Sequence, residues 1–266
     1  MMKQISSRDN ALYKELKHLA SSASARKKAA KTMLDGVHLC QAFLQHRGAP
    51  ELCVVSASCV EHHEVSGIIA LCEEDGADCI VLPDNLYQAL SQVENGVGIL
   101  FVIAANQAQA PLQLSVNAVL LDNLQDPGNL GSILRSAAGA GIRQVFCSPG
   151  SASAWSPKVL RAGMGAHFLL EIFENVDLHT LINSSSIPIL ATSSHTDTSI
   201  YQIDLNRPLA WLFGHEGQGV DPELMALATD AVTIPQKAEI ESLNVAASAA
   251  ICFFEQVRQQ IIGATK

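Results

Sequence analysis

The chain of 266 residues is 48% hydrophobic but only 5% aromatic, and it carries a formal net charge of −9. That length provides ample core for one large domain or two small ones, filled by aliphatic side chains and alanine as in layered α/β proteins. No apolar run reaches the length of a bilayer span, and the polar first residues contain no signal-peptide core, so a cytoplasmic protein without membrane contact is expected.

Seven cysteines (Cys40, Cys53, Cys59, Cys72, Cys79, Cys147 and Cys252) are scattered, odd in number and never spaced as C-x-x-C. This predicts free thiols in a reducing compartment, with neither a disulfide frame nor a zinc site. The charge is unevenly spread. Residues 1–47 hold nine Lys/Arg against three Asp/Glu, whereas the remainder holds eight against twenty-three. A basic arm on an acidic body suits a chain whose one end meets phosphate, and equally a solvated helix face.

Apolar residues recur at helical spacing over residues 10–19, until the run 21–24 (Ser-Ser-Ala-Ser) breaks the pattern. Arg26, Lys27, Lys28 and Lys31 follow as a dense cluster of cations. Residues 32–34 read as a short strand, and Gly36 turns the chain into a helix over 37–45. From 52 to 104, strands (52–55, 79–82, 98–103) alternate with helices (65–72, 84–91), which predicts a three-layer α/β unit. Within Glu61-His62-His63-Glu64 the adjacent imidazoles diverge on a helix and no third ligand stands at metal spacing, so no metal is expected. The polar, proline-ended stretch 106–111 marks a boundary. The domains are therefore read as 1–106, a linker 107–115, and 116–266.

The second part opens with a buried strand at 118–121, the turn formers Asp126-Pro127-Gly128-Asn129, and an Ala/Leu-rich helix over 130–140. Arg135 is the one charge on that helix, and a guanidinium there requires an anion or a wet cleft unless the face is simply solvated. A strand at 144–147 and a small-residue loop lead to Gly163-Met164-Gly165, which lacks the third glycine of a dinucleotide fingerprint. Strands at 188–191 and 209–213 end in loops of small and polar residues, and in parallel α/β sheets such loops converge on one pocket. Gly214-His215-Glu216-Gly217-Gln218-Gly219 wraps three glycines around a carboxylate, as in a ligand loop or a flexible turn. Glu216 stands where a nucleophile elbow requires serine, and no P-loop lysine motif occurs, so hydrolase and NTPase chemistries are poor fits. A last strand over 232–234 precedes a closing helix over 242–260, where Ser242 would ordinarily serve as a cap.

Three of these stretches, NAVLLDNLQDPGNLGSILRSAAGAG (117–141), WLFGHEGQGV (211–220) and IPQKAEIESLNV (234–245), resemble in order and spacing the three motifs of the SpoU/TrmH family. These are RNA ribose 2′-O-methyltransferases of the SPOUT superfamily that use S-adenosyl-L-methionine (AdoMet). The resemblance implies an α/β chain with an N-terminal L30e-like RNA-binding domain, a C-terminal SPOUT domain tied in a deep trefoil knot, and a homodimer. It implies that Arg135, Asn129, Glu216, Ser242 and Asn244 form the active site. In that reading Arg135 stabilises the reacting oxygen, or alternatively acts as a general base. Asn129 fixes loop and ribose, and Glu216 orients Arg135 or Asn244. The cofactor would lie against Thr192, Gly214, Ile234 and Leu243, held largely by backbone groups. Arg26, Lys27, Lys28 and Lys31 would contact RNA phosphates. Ribosomal RNA is the expected substrate, with tRNA as the alternative and a non-catalytic RNA-binding protein on the same fold as the rival. Gln236 and Ala238 replace the Met and Gly common in relatives, and His215 stands for a commoner Asn or Ser.

Overall fold

The computed structural model describes residues 2–93, 96–105, 109–237 and 242–264, grouped in two units. In the first, β1 (Lys3–Gln4), α1 (Ala11–Ser21), α2 (Ala23–Ala29), β2 (Lys31–Asp35) and α3 (Val37–Arg47) come first. They are followed by β3 (Leu52–Ser56), α4 (His63–Glu74), β4 (Asp78–Leu82), α5 (Asp84–Gln88) and β5 (Ile99–Ala104). The strands form one mixed sheet in the order β1-β4-β3-β5-β2, in which β5 runs antiparallel to both neighbours. Strand alternation divides its side chains between two helical layers. Leu52, Val54, Ile80 and Leu82 meet Tyr13, Leu16 and Leu19 of α1 and Leu86 and Tyr87 of α5 in one buried cluster. On the opposite face α4 packs on β4 and α3 on β5.

The serine-rich break predicted after α1 is a junction between two helices. Asn10 caps α1 by accepting from the amides of Leu12 and Tyr13, and the Ser22 side chain caps α2 by accepting from Ala25. Short side chains with an oxygen acceptor start helices and rarely continue them.

The second unit contains β6 (Ala118–Leu121), α6 (Pro127–Gly139) and β7 (Gln144–Cys147). Next in the chain, α7 (Pro157–Gly163) lies within residues 155–168, which belong to the first unit. The second unit resumes with β8 (Glu171–Phe173), α8 (Leu178–Asn183), β9 (Ile189–Thr192), β10 (Ala210–Phe213), α9 (Pro222–Leu227), β11 (Asp230–Val232) and α10 (Val245–Ala264). Its six strands are all parallel, ordered β11-β9-β10-β6-β7-β8. Covered on both faces, they read as continuous apolar runs such as Ala118-Val119-Leu120-Leu121. On one face α10 lies beside α6. There Phe253 meets the edge of Phe213 at 5.7 Å, and Gln256 accepts from the Trp211 indole at 3.0 Å.

Four expectations change. The 116–266 domain is interrupted, because 155–168 pack with the first unit. Thr32 Oγ1 donates to the Trp155 carbonyl at 2.8 Å, and Phe43 meets Phe168 edge-on at 5.3 Å. The linker is in part core: Leu114 is fully buried in the second unit with Ala110 packed against its cluster, while 106–108 lie outside the described residues. The closing helix begins at Val245 rather than Ser242, and the 232–234 strand ends at Val232. All seven cysteines are free thiols, five of them buried. Among the described residues no helix is long and apolar enough to cross a membrane.

Candidate functional site

In the second unit a cavity of about 900 Å³ opens beyond the carboxyl ends of β9, β10 and β11 and is closed by the segment entering α10. Its size is that of a small-molecule site. Parallel strands aim their last residues the same way, so Thr192, Gly214 and Ile234 reach one wall, joined by Leu243. The Thr192 hydroxyl donates to the Leu212 carbonyl, tying the end of β9 to β10.

Gly214 is required by proximity. A Cβ there would collide with the backbone of Gly219 and Val220. The loop closes on itself through His215 N to Gly219 O at 2.9 Å and the reciprocal bond at 2.8 Å. Gly219 holds a left-handed φ of +74° that a side chain would strain. Within this turn the backbone amides of Gly217 and Gln218 donate to His215 Nδ1 at 2.9 and 3.2 Å.

Three of the expected catalytic side chains are bonded in series. Asn244 Nδ2 donates to Asn129 Oδ1 at 2.9 Å, and Asn129 Nδ2 donates to Glu216 Oε1 at 3.2 Å. Glu216 also accepts from the amides of Asp126 (2.9 Å) and Gln125 (3.2 Å), pinning the turn before α6 to the loop after β10. Burial pulls the Glu216 carboxyl upward, but these amides, its own amide and the Asn129 side chain together hold it below the usual range. Asn244 Oδ1 accepts from the amides of Ala246 and Ala247, so the helix cap is Asn244 and not Ser242. Asp126 caps α6 in the same way through the Asn129 amide at 2.7 Å.

Glu216 thus orients Asn129 directly, and reaches Asn244 only through it. Its described partners do not include Arg135. Ser242 is exposed and lines the cavity. Arg135 does not: it is exposed, with neither an ion pair nor a hydrogen bond among the described residues. Six residues beyond Asn129 on a helix is about 9 Å along the axis and about 120° around it, which turns the two side chains apart. Gln236 lines the cavity, and Ala238 lies outside the described residues.

In the first unit the four arm cations divide. Arg26 Nη1 donates to the Leu19 carbonyl at 2.7 Å and the Ala20 carbonyl at 3.4 Å, at the end of α1. Lys31 pairs with Glu51 at 2.9 Å. Lys27 and Lys28 are exposed, without partners among the described residues. His195 and Ser248 line the cavity although the sequence did not single them out. Ser248 stands one helical turn after Asn244, whose carbonyl accepts its amide at 2.9 Å, a spacing that could have flagged it. His179, Asp221 and Glu223 bring one ligand atom each within 4.8 Å of one another at the surface, but Asp221 is engaged with the amides of Glu223 and Leu224.

Comparison with known proteins agrees with this geometry. The family model described as "SpoU rRNA Methylase family" matches residues 117–254, which contain every element of the cavity. An uncharacterised tRNA/rRNA methyltransferase of Synechocystis sp. is 31% identical, over 98% of this chain and 96% of its own length. The 23S rRNA (guanosine(2553)-2′-O)-methyltransferase of Bacillus subtilis is 27% identical, over 95% of this chain and 98% of its own. The crystal structure of an AdoMet-bound rRNA methyltransferase from Sinorhizobium meliloti has the same fold: its TM-score is 0.83 at 23% identity, covering 97% of this chain and 98% of that one.

Proposed function

The chain belongs to the SpoU rRNA methylase family, and from that premise we propose that it methylates a ribose 2′-hydroxyl of ribosomal RNA with AdoMet as donor. The observation that carries this reading is the series Asn244–Asn129–Glu216, which binds the three motif loops together at one cavity. AdoMet suits that cavity in volume, and the tight approach of Gly214 to Gly219 leaves backbone, with no side chain, on that wall. Thr192, Gly214, Ile234 and Leu243 would hold it. When bound, AdoMet supplies an electrophilic methyl group on its sulfonium.

The protein must then orient the hydroxyl and stabilise charge as its proton leaves. Asn129 is fixed at both ends of its amide, so it presents one geometry to the ribose, and Ser242 lines the same cavity. Arg135 is exposed and without a partner among the described residues, and so is available to a phosphate and the developing alkoxide. Guanidines lose their proton only far above neutral pH, which favours electrostatic stabilisation over a literal base. Lys27 and Lys28 would grip RNA phosphates.

The same proposal includes an L30e-like first unit, a trefoil knot in the second and a cytoplasmic homodimer. The motif resemblance supports these, and exposed Phe254, Ile261 and Ile262 on α10 supply apolar surface for self-association. The deciding experiment incubates the protein with methyl-labelled AdoMet and ribosomal RNA or tRNA from cells lacking the gene, then digests the RNA with alkali. Alkali cannot cleave beside a methylated 2′-oxygen. Label in alkali-resistant dinucleotides of ribosomal RNA is expected. Label released as mononucleotides would mean base methylation and would overturn the chemistry; label on tRNA alone would change the substrate.

A further inference from the structure

We infer that His215 is a positioning residue for this reaction: its bare Nδ1 organises the turn that aims Glu216, and protonation of that nitrogen releases the turn. The functional consequence rests on the methyltransferase reading; the geometry does not. A ring nitrogen that carries a proton cannot accept, so the amides of Gly217 and Gln218 require a neutral imidazole with its proton on Nε2. The amides of His215 and Gly219 are satisfied by each other's carbonyls, and that of Glu216 turns toward its own carboxylate. The ring is thus the hub on which the middle of a glycine-rich turn is wound. Without it only the His215–Gly219 backbone pair closes the turn, and the flexible Gly217-Gln218 backbone between them loses the contact that sets the direction of Glu216.

A second proton places a donor opposite two donors. The consequence passes along bonds already described: the turn opens, Glu216 swings from Asp126 and Asn129, and Asn129 loses the partner that fixes its amide. Other titratable groups on the elements meeting here are Glu216 itself, Asp122 and Asp126 after β6, and His195 after β9. Asp221 and Glu223 at α9, Lys237 after β11, Arg135 on α6, and Glu255 and Arg258 on α10 are the other charged groups of these elements among the described residues. His195 is the other imidazole at the cavity, so it must be separated from His215 by mutation.

The test follows AdoMet binding by calorimetry and methyl transfer to 23S ribosomal RNA across that pH range, in the full chain and in His215→Ala, His215→Asn and His195→Gln. Asparagine offers an oxygen acceptor and does not titrate. His215→Ala should lower kcat/KM by roughly tenfold or more at pH 8, the equivalent of two lost hydrogen bonds. His215→Asn should recover most of that loss and abolish the acid limb of the profile, while His195→Gln keeps the limb. Nitrogen-15 NMR of labelled histidine should show an unprotonated Nδ1 for His215 at pH 8. Wild-type behaviour of His215→Ala, an acid limb surviving in His215→Asn, or a protonated Nδ1 would each overturn the inference. If wild-type protein methylates no RNA, the proposed function fails, and the ring spectrum and AdoMet binding still decide the role of His215.

Discussion

The cavity loops and the basic arm hold the polar side chains expected to meet RNA, and they hold them differently. Around the cavity, Asn129, Glu216 and Asn244 each bond to another motif, and Glu216 and Asn244 also accept from backbone amides, so none moves without the others. On the arm there is no such chain. Arg26 and Lys31 are used inside the first unit, and Lys27 and Lys28 are left facing solvent. In the second unit Arg135 stands apart from the tied groups, a cation without a partner among the described residues, on the same helix as a fully tied asparagine. Tied groups set geometry, and free cations supply charge where phosphate arrives.

The sharpest way to break that division is Arg135→Ala. Losing one charge-stabilising donor should lower kcat by about 10²–10³ while leaving AdoMet affinity, measured by calorimetry, at the wild-type value; a variant of full activity would strip Arg135 of its role. Gly214→Ala attacks the tied side. Overpacking a backbone contact should weaken AdoMet binding by roughly 10–100-fold, and unchanged affinity would move the cofactor off this wall. On the free side, joint replacement of Lys27 and Lys28 by alanine should reduce the slope of log affinity for RNA against log salt by about 1.5, with kcat at saturating RNA preserved. Arg26→Ala should scarcely alter that slope but cost about 1–2 kcal/mol of stability, read from urea unfolding, because it removes bonds to α1 carbonyls. A large slope change in Arg26→Ala would erase the distinction drawn within the arm.

The smallest effect concerns acid. The folded Glu216 carboxyl is held below the ordinary glutamate range, so its contribution is complete above about pH 4.3 and is lost as pH falls through the lowered value. Thermal stability of wild type and Glu216→Gln should therefore differ by a constant amount near neutrality and converge only in strong acid. Convergence already at pH 6 would show that the amides do not hold the charge.

Much of this was legible because motifs encode mutual geometry. Asp126 was readable as a turn former and caps α6, Asn129 of the same cluster lies in that helix, and a serine or asparagine was readable as the cap of the closing helix, where it is Asn244. Gly214 was singled out as a loop glycine, but what requires it is the backbone of Gly219, five residues on, which local conformational rules do not see. Ile234 and Leu243 present no chemistry to read; they line the cavity by position, and only resemblance singled them out. A charge run discloses concentration and not availability: the loss of Arg26 to the end of α1, and of Lys31 to Glu51, depends on tertiary approach. For the same reason residues 155–168 were assigned to the wrong unit, since neither Trp155 nor Phe168 announces that its contacts are Thr32 and Phe43. Strands as short as β1 and β8 carry too few residues to show a period.

The bonds from Asn244 to Asn129 to Glu216 run in one direction, each amide giving its hydrogen to the next oxygen. Spontaneous hydrolysis of the Asn244 amide to a carboxylate would leave the cap on α10 intact, since an aspartate accepts from Ala246 and Ala247 equally well. It would also set two acceptors against each other. Flipping Asn129 to donate toward the new carboxylate only moves the conflict to Glu216, so no rotamer repairs the sequence of donors. An aged molecule of this kind would melt like a fresh one while its motif loops had come apart, and its damage would register as one dalton of mass rather than as lost structure.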